Sequence, residues 1–265
     1  MDAQVWGRAL LYNVAAGSEL HAGRAVDVLS LRPRVKLNDV QICNASKMVD
    51  PYAQIGNVTL YCADCCDILP QLSADTVVTD PVWPGYEVPL EGRDHAGRLL
   101  RSTLQLLPPE AERLAIHLGC DTDPRFLDVV PECWDFFRVV WLELPRKTPR
   151  GRLLHTGDVA YVFGDPPPSR EGHRVIPGRY TDPDPNGQQR DHPTPRKLGH
   201  VEWLVKWWSA PRDLIVDPFA GSGTTGLAAM RWDRKCVLIE IEEEHCETAA
   251  RALEQEAKQP TFAYA

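Results

Sequence analysis

Asp217-Pro218-Phe219-Ala220-Gly221-Ser222-Gly223-Thr224-Thr225-Gly226 is the stretch whose reading decides the fold. Leu214-Ile215-Val216 precedes it as a short apolar run that reads as a buried strand, and Leu227-Ala228-Ala229-Met230 follows as the opening of a helix. A strand, a glycine turn and a helix bring backbone close to a ligand. Gly221 and Gly223 lack the Cβ atoms that would block approach and tolerate unusual backbone angles. The helix start then offers N–H groups that have no partner within the helix.

The spacing Gly221-x-Gly223-x-x-Gly226 also fits the dinucleotide fingerprint, and an acid, Glu240, ends the next apolar strand, Cys236-Val237-Leu238-Ile239. In such folds the acid takes the ribose hydroxyls. The bland alternative is a glycine turn that only packs a helix on a strand. No Gly-Lys-Ser/Thr follows, which excludes a phosphate-binding P-loop. The loop alone therefore implies an adenosine-type cofactor and leaves its identity open.

A second stretch, Thr79-Asp80-Pro81-Val82-Trp83-Pro84, narrows the choice. Together the two motifs resemble those of the DNA amino-methyltransferases, which use S-adenosylmethionine to methylate an exocyclic base nitrogen. That family carries an Asp-Pro-Phe-x-Gly-Ser-Gly-Thr-Thr loop, matched here from Asp217 to Thr225, and an (Asp/Asn/Ser)-Pro-Pro-(aromatic) tetrapeptide. The tetrapeptide is matched at Asp80, Pro81 and Trp83, with Val82 where the family has a second proline. The tetrapeptide precedes the loop, which is similar to the permuted β subclass.

The resemblance spans roughly residues 57–255 and implies a doubly wound, mainly parallel α/β sheet of the Rossmann-like methyltransferase type. It implies catalytic roles for Asp80, Pro81 and Trp83. On the cofactor side it implies Asp217, Pro218, Phe219, Ala220, Gly221, Ser222, Gly223, Thr224 and Thr225 around the methionyl and ribose parts, with Glu240 on the ribose hydroxyls. Asp64 would lie near the adenine, a plain turn aspartate being the alternative. Asp191-His192-Pro193-Thr194 resembles a further family segment and would bring Thr194 near the methionine end.

The chemistry explains why these residue types recur. An exocyclic amine is a poor nucleophile because its lone pair is delocalised into the ring. Two acceptors, the Asp80 carboxylate and the Pro81 carbonyl, would draw the nitrogen toward tetrahedral geometry, so positioning and hydrogen-bond electrostatics carry the rate. The base must leave the duplex stack, and Trp83 would hold it by stacking. Val82 removes a backbone constraint and leaves the Pro81 carbonyl in place. By the same resemblance, aspartate at position 80 implies adenine N6 rather than cytosine N4, because the family's cytosine N4 members more often carry Ser there. The competing classes are a dinucleotide-dependent oxidoreductase, which leaves Asp80–Trp83 unexplained, and a silent cofactor- or DNA-binding protein.

At 265 residues the chain can bury one α/β core. No apolar run is long enough to span a bilayer, and the N-terminus lacks the pattern of a signal peptide, so a cytoplasmic location is expected. Eight cysteines include Cys62-x-x-Cys65 but no second pair at similar spacing, so reduced and mostly buried thiols, and no metal, are expected. Net charge is −8, which argues against whole-molecule attraction to DNA. Between Arg146 and Lys197, however, ten Arg and Lys face six Asp and Glu. Arg146, Lys147, Arg150 and Arg152 are the candidate phosphate contacts. DNA is the expected partner, to a monomer or homodimer.

Residues 1–50 read as an extension with short strands at Ala9–Val14 and Ala25–Leu31, and residues 51–265 as the catalytic domain. Strands are expected at Val58–Tyr61, Thr76–Thr79, Arg113–Leu118, Phe136–Leu144 and Asp158–Phe163. Helices are expected at Cys66–Leu72, Leu99–Leu107, from Asp123-Pro124 to about Val130, and at Val201–Trp208 and Glu243–Ala257. Residues 164–190, rich in Pro, Gly and Asp, read as a short target-recognition loop.

Overall fold

The apolar runs that flank the glycine loop form strands, as do those upstream. The computed structural model describes residues 49–82, 95–150, 152–170, 172, 175–181, 183 and 198–258. The expected strands at 9–14 and 25–31 lie outside these residues, as do Trp83 and Thr194. In chain order the elements are β1 (Ala53–Ile55), β2 (Val58–Cys62), α1 (Cys65–Ile68), β3 (Thr76–Thr79), α2 (Ala96–Gln105), β4 (Arg113–Gly119), β5 (Phe136–Arg150) and β6 (Leu153–Gly164). Then follow β7 (Arg179–Thr181), α3 (Leu198–Trp208), β8 (Leu214–Asp217), α4 (Thr224–Arg231), β9 (Lys235–Glu240) and α5 (Glu243–Ala257).

The strands form one sheet in the order β1-β2-β9-β8-β3-β4-β6-β5-β7. Its centre, β2-β9-β8-β3-β4, is parallel throughout, and β6 runs antiparallel to both β4 and β5. Central strands such as β3 (Thr-Val-Val-Thr) are buried along their whole length because helices cover both faces, so they read as continuous apolar runs. Successive residues alternate between two cores. Val78, Ala115, Ile215 and Leu238 pack with α3, α4 and α5. Val77, Ile116, Val216 and Ile239 pack with α1 and α2 on the other face. Among the described residues no helix is long and apolar enough to cross a membrane.

Several expectations needed correction. The helix at 66–72 is a single turn, α1, continued as a 3-10 turn over Leu69–Gln71, where Pro70 has no N–H to donate. The segment after Asp123 is a 3-10 helix, Pro124–Val129, and Asp123 caps it by accepting from the Arg125 N–H at 3.0 Å. β7 lies inside the stretch read as loop and pairs in parallel with Trp141–Glu143 of β5. Of the seven described cysteines, Cys65, Cys236 and Cys246 are buried, fewer than the burial expected of reduced thiols in a core. β5 and β6 are longer than their apolar alternation implied.

Candidate functional site

β8 and β3 are neighbours from which the chain departs in opposite directions. β3 leads through α2 to β4, and β8 leads through α4 to β9, with α2 and α4 on opposite faces of the sheet. Such a switch point creates a ligand crevice at the carboxyl ends of the strands. The glycine loop leaves β8 there, Asp80 and Pro81 leave β3, Glu240 ends β9, and Asp64 follows β2. Four segments far apart in sequence therefore converge on one end of the sheet.

Asp217 ties two of them together. It is 3% exposed. Its carboxylate accepts from the Thr79 hydroxyl at 2.9 Å, the Thr225 hydroxyl at 2.6 Å and the Phe219 N–H at 3.1 Å. One side chain thus joins the last residue of β3, the loop and the start of α4. Burial, with a smaller contribution from the Asp80 charge, raises its pKa from 3.8 to about 6 despite these hydrogen bonds.

A carboxyl group whose folded pKa is raised contributes stability below its unfolded pKa and loses it as pH rises through the folded value. Relative to Asp217→Asn, the wild type should therefore lose stability between about pH 4 and 6. Chemical denaturation of both proteins across that range checks this, and parallel pH profiles would contradict it.

Glu240 braces the loop from the next strand. Its carboxylate accepts from the Gly221 N–H at 2.7 Å through Oε2, and from the Ile241 and Glu242 N–H groups at 2.9 and 3.0 Å through Oε1. Burial opposes its charge, but His245 and these N–H groups outweigh burial and hold its pKa below the usual value. His245 lies 3.8 Å from Oε1, and its own pKa is raised, chiefly by that carboxylate. A carboxylate offers about four lone-pair positions. The three N–H bonds leave room on Oε2 for one further donor.

The loop backbone turns where glycine permits it. Gly221 has φ +49° and Gly223 has φ +78°, in the left-handed region. A Cβ on Gly223 would lie 3.0 Å from the Ala249 Cβ and 3.2 Å from its Cα. Ala220, Ser222, Thr224 and Thr225 are buried, while Phe219 and Gly221 are partly exposed. Pro218 is buried behind them. The segment 217–226 contains three hydroxyl side chains, Ser222, Thr224 and Thr225, and one acid but no Lys or Arg. This donor set suits a cationic or neutral ligand rather than a pyrophosphate.

Asp80 is partly exposed and Pro81 buried. Val82 packs against the core on the α1–α2 face, where the family proline would stand. Asp64 is exposed, and its carboxylate caps α1 by accepting from the Cys66 N–H at 2.8 Å.

The candidate basic residues fall on a two-stranded ribbon. β6 pairs with β4 only from Asp158 to Gly164, while its earlier residues pair with β5 alone, from Glu143↔Gly157 to Arg150↔Leu153. Because Gly119 at the carboxyl end of β4 pairs with Asp158, the ribbon overhangs the end of the sheet that carries Asp80. Lys147 and Arg152 are exposed there, and Arg146 and Arg150 belong to the same strand, β5.

Thr79 and His245 are functional candidates that the sequence reading missed. A threonine ending an otherwise apolar strand just before Asp80, and a histidine in the first turn of α5 after Glu240, were the available signals.

Residues 127–251 match a protein-family model described as DNA methylase. Type II methyltransferase M2.MboI of Moraxella bovis is 43% identical over 63 residues, which are 24% of this chain and 23% of that protein. DNA adenine methyltransferase YhdJ of Escherichia coli K12 is 34% identical over 92 residues, 33% of this chain and 31% of the relative. The matched segments thus span well under half of these relatives. Among solved structures, a PvuII DNA methyltransferase described as cytosine-N4-specific superposes with TM-score 0.59 at 18% identity, covering 80% of this chain and 90% of that one. The M1.HpyAVI–SAM complex gives TM-score 0.58 at 21% identity, covering 74% and 98%. At these identities the structural likeness is one of fold.

Proposed function

We propose that this chain is a DNA amino-methyltransferase, which transfers a methyl group from S-adenosylmethionine to the exocyclic amine of a base flipped out of DNA, with adenine N6 as the target. The observation that carries the reading is the Thr79–Asp217 hydrogen bond, which locks the end of the Asp80 strand to the glycine loop at the switch point.

The loop residues fit the cofactor. Two φ-positive glycines expose backbone, Glu240 keeps a lone-pair position for a ribose hydroxyl, and no basic side chain in the loop would repel a sulfonium. Backbone from Phe219 to Gly223 would hold the methionyl and ribose parts, with Asp64 on the adenine side and Thr194 toward the methionine. Asp217 acts from within, as the buried brace of the loop. When bound, S-adenosylmethionine supplies a methyl group activated by a positively charged sulfur.

Asp80 accepts one N–H of the target amine and the Pro81 carbonyl the other, so the nitrogen lone pair is freed from the ring and aimed. Both acceptors are fixed before the base arrives, which is where hydrogen-bond electrostatics lower a barrier most. Trp83 stacks on the flipped base. Residues 51–265 form the catalytic domain in this reading, residues 1–50 an extension, and the segment near 164–190 a short target-recognition insert. The protein acts in the cytoplasm as a monomer or homodimer.

The ribbon tip contacts the DNA backbone. Neutralising Arg146, Lys147, Arg150 and Arg152 together should weaken DNA binding and flatten its salt dependence, by about 0.9 in the log–log slope per lost phosphate contact. Unchanged affinity across a salt titration would remove the ribbon from the interface.

The test of the activity is transfer of labelled methyl from S-adenosylmethionine to unmethylated DNA, followed by nucleoside digestion and mass spectrometry. Labelled N6-methyladenine supports the proposal. N4-methylcytosine, the product class named for the PvuII enzyme, would keep the site and overturn the base assignment. Cofactor binding without any labelled base would identify a silent pocket.

A further inference from the structure

On the α3 face of the sheet, beside the candidate site, lies a buried cluster that the methyl-transfer reading does not use. Its members are His117 on β4, Asp158 on β6 and His200 in the first turn of α3, whose side chains are 2%, 12% and 0% exposed. His117 follows Ile116, which pairs with Thr79, so His117, within β4, stands level with Asp80, which follows β3. Alternation from Ala115 and Val78 puts both on the α3 face.

One potential ligand atom from each residue lies within 4.8 Å of the other two. His117 Nε2 is 3.4 Å from Asp158 Oδ2, and His200 Nδ1 is 3.9 Å from the same oxygen. Two ligands on a tetrahedral zinc, at bond lengths of about 2.0–2.1 Å, stand about 3.3–3.4 Å apart. The cluster therefore has the spacing of a metal shell, slightly expanded on the His200 side.

Two independent details point to an ion. Neither ring nitrogen of His117 makes a hydrogen bond, although both are buried. A buried polar group in that state is costly. His200 Nε2 lies 3.2 Å from the Glu143 carbonyl. A carbonyl only accepts, so Nε2 carries a proton, and Nδ1 is the ring nitrogen on the Asp158 side, 3.9 Å from its Oδ2. Metal-bound histidines are oriented by this same outer hydrogen bond to a backbone carbonyl.

We propose that His117, Asp158 and His200 bind one divalent transition-metal ion. The two-nitrogen, one-oxygen donor set suits zinc, cobalt or nickel rather than magnesium or calcium, which favour oxygen. The ion clamps the start of α3 to β4 and β6 and so fixes the strand end next to Asp80. It is a structural ion, and the proposal stands whether or not the chain methylates DNA.

The test uses the full chain, stripped of metal by a chelator and titrated with Zn2+ or Co2+. One equivalent of Co2+ should bind and give the visible d–d absorption of a four-coordinate site, and Zn2+ should displace it and raise Tm. Asp158→Asn, nearly isosteric, and His117→Ala should lose both responses, while His155→Ala, on the ribbon, keeps them. If His117→Ala does not fold, Asp158→Asn carries the test alone. Absence of any metal-dependent absorption or Tm shift in the wild type would overturn the proposal and leave a buried His–Asp–His cluster without an ion. Responses that persist in folded Asp158→Asn would overturn it as well.

Discussion

Asp80→Ala is expected to slow methyl transfer to DNA by about 10²–10³ while leaving the protein folded and able to bind S-adenosylmethionine. Asp80 is partly exposed at the end of β3 and contributes little packing. The cofactor loop is held instead by Asp217 and Glu240. In the proposed mechanism the lost acceptor acts only once the target nitrogen approaches tetrahedral geometry, so its removal falls on kcat. Loss of one preorganised hydrogen-bonding group costs about 10²–10³ in kcat in comparable sites. Asp80→Asn keeps an oxygen acceptor and the side-chain shape but loses the charge, so it should fall between wild type and alanine. The readouts are labelled-methyl incorporation for transfer and fluorescence titration for cofactor binding. An Asp80→Ala protein that methylates at the wild-type rate would remove Asp80 from the chemistry. Loss of cofactor binding along with activity would assign it to the cofactor site instead.

Gly223→Val should give a large loss of stability. Gly223 sits at φ +78°, where a β-branched residue is strained by about 1–3 kcal/mol. Its new Cβ would also meet the Ala249 Cβ at 3.0 Å and, more seriously, the Ala249 Cα at 3.2 Å. Backbone of a buried helix does not swing aside as a side-chain tip would, and overpacking of this kind costs a further ~1–3 kcal/mol. A combined loss near 3 kcal/mol lowers Tm by about 6–12 °C in a domain of this size. Thermal unfolding followed by circular dichroism measures it. Gly223→Ala should show the strain with less of the clash and so a smaller fall. A Tm within 2 °C or so of wild type for the valine variant would mean that the loop does not adopt this turn against α5.

The sequence was most legible where one residue type answers one physical demand. Gly221 and Gly223 announce a turn that side chains would strain, and the apolar runs Leu214–Val216 and Cys236–Ile239 announce strands buried on both faces. It was least legible along the ribbon. Pro145-Arg146-Lys147-Thr148-Pro149-Arg150 carries proline and basic residues and no apolar alternation, so the expected strand ended at Leu144, yet this stretch lies within β5. Beyond Glu143 that strand pairs with β6 alone, and its Lys147 and Pro149 are exposed. Alternation is a record of one-sided burial, and where there is none the pattern vanishes. Proline is tolerated there because a ribbon edge does not need every N–H. The same reasoning covers β7, three residues held to the sheet by pairing alone.

The sequence by itself determined the fold class, the glycine loop with its flanking elements, and the identity of Asp80 and Pro81 as the residues to watch. Local backbone demands and unbroken hydrophobic runs are written into adjacent residues, so no neighbour from elsewhere is needed to read them. Only the tertiary structure decided what Asp217 does, since its partner Thr79 lies 138 positions away and their contact exists because β3 and β8 are neighbours. It likewise decided that Glu240 braces Gly221, that the basic segment overhangs the Asp80 end of the sheet, and that His117, Asp158 and His200 meet beneath α3. Each of these depends on strand order and register, which arise from the packing of the whole chain and leave no mark on any short stretch of it.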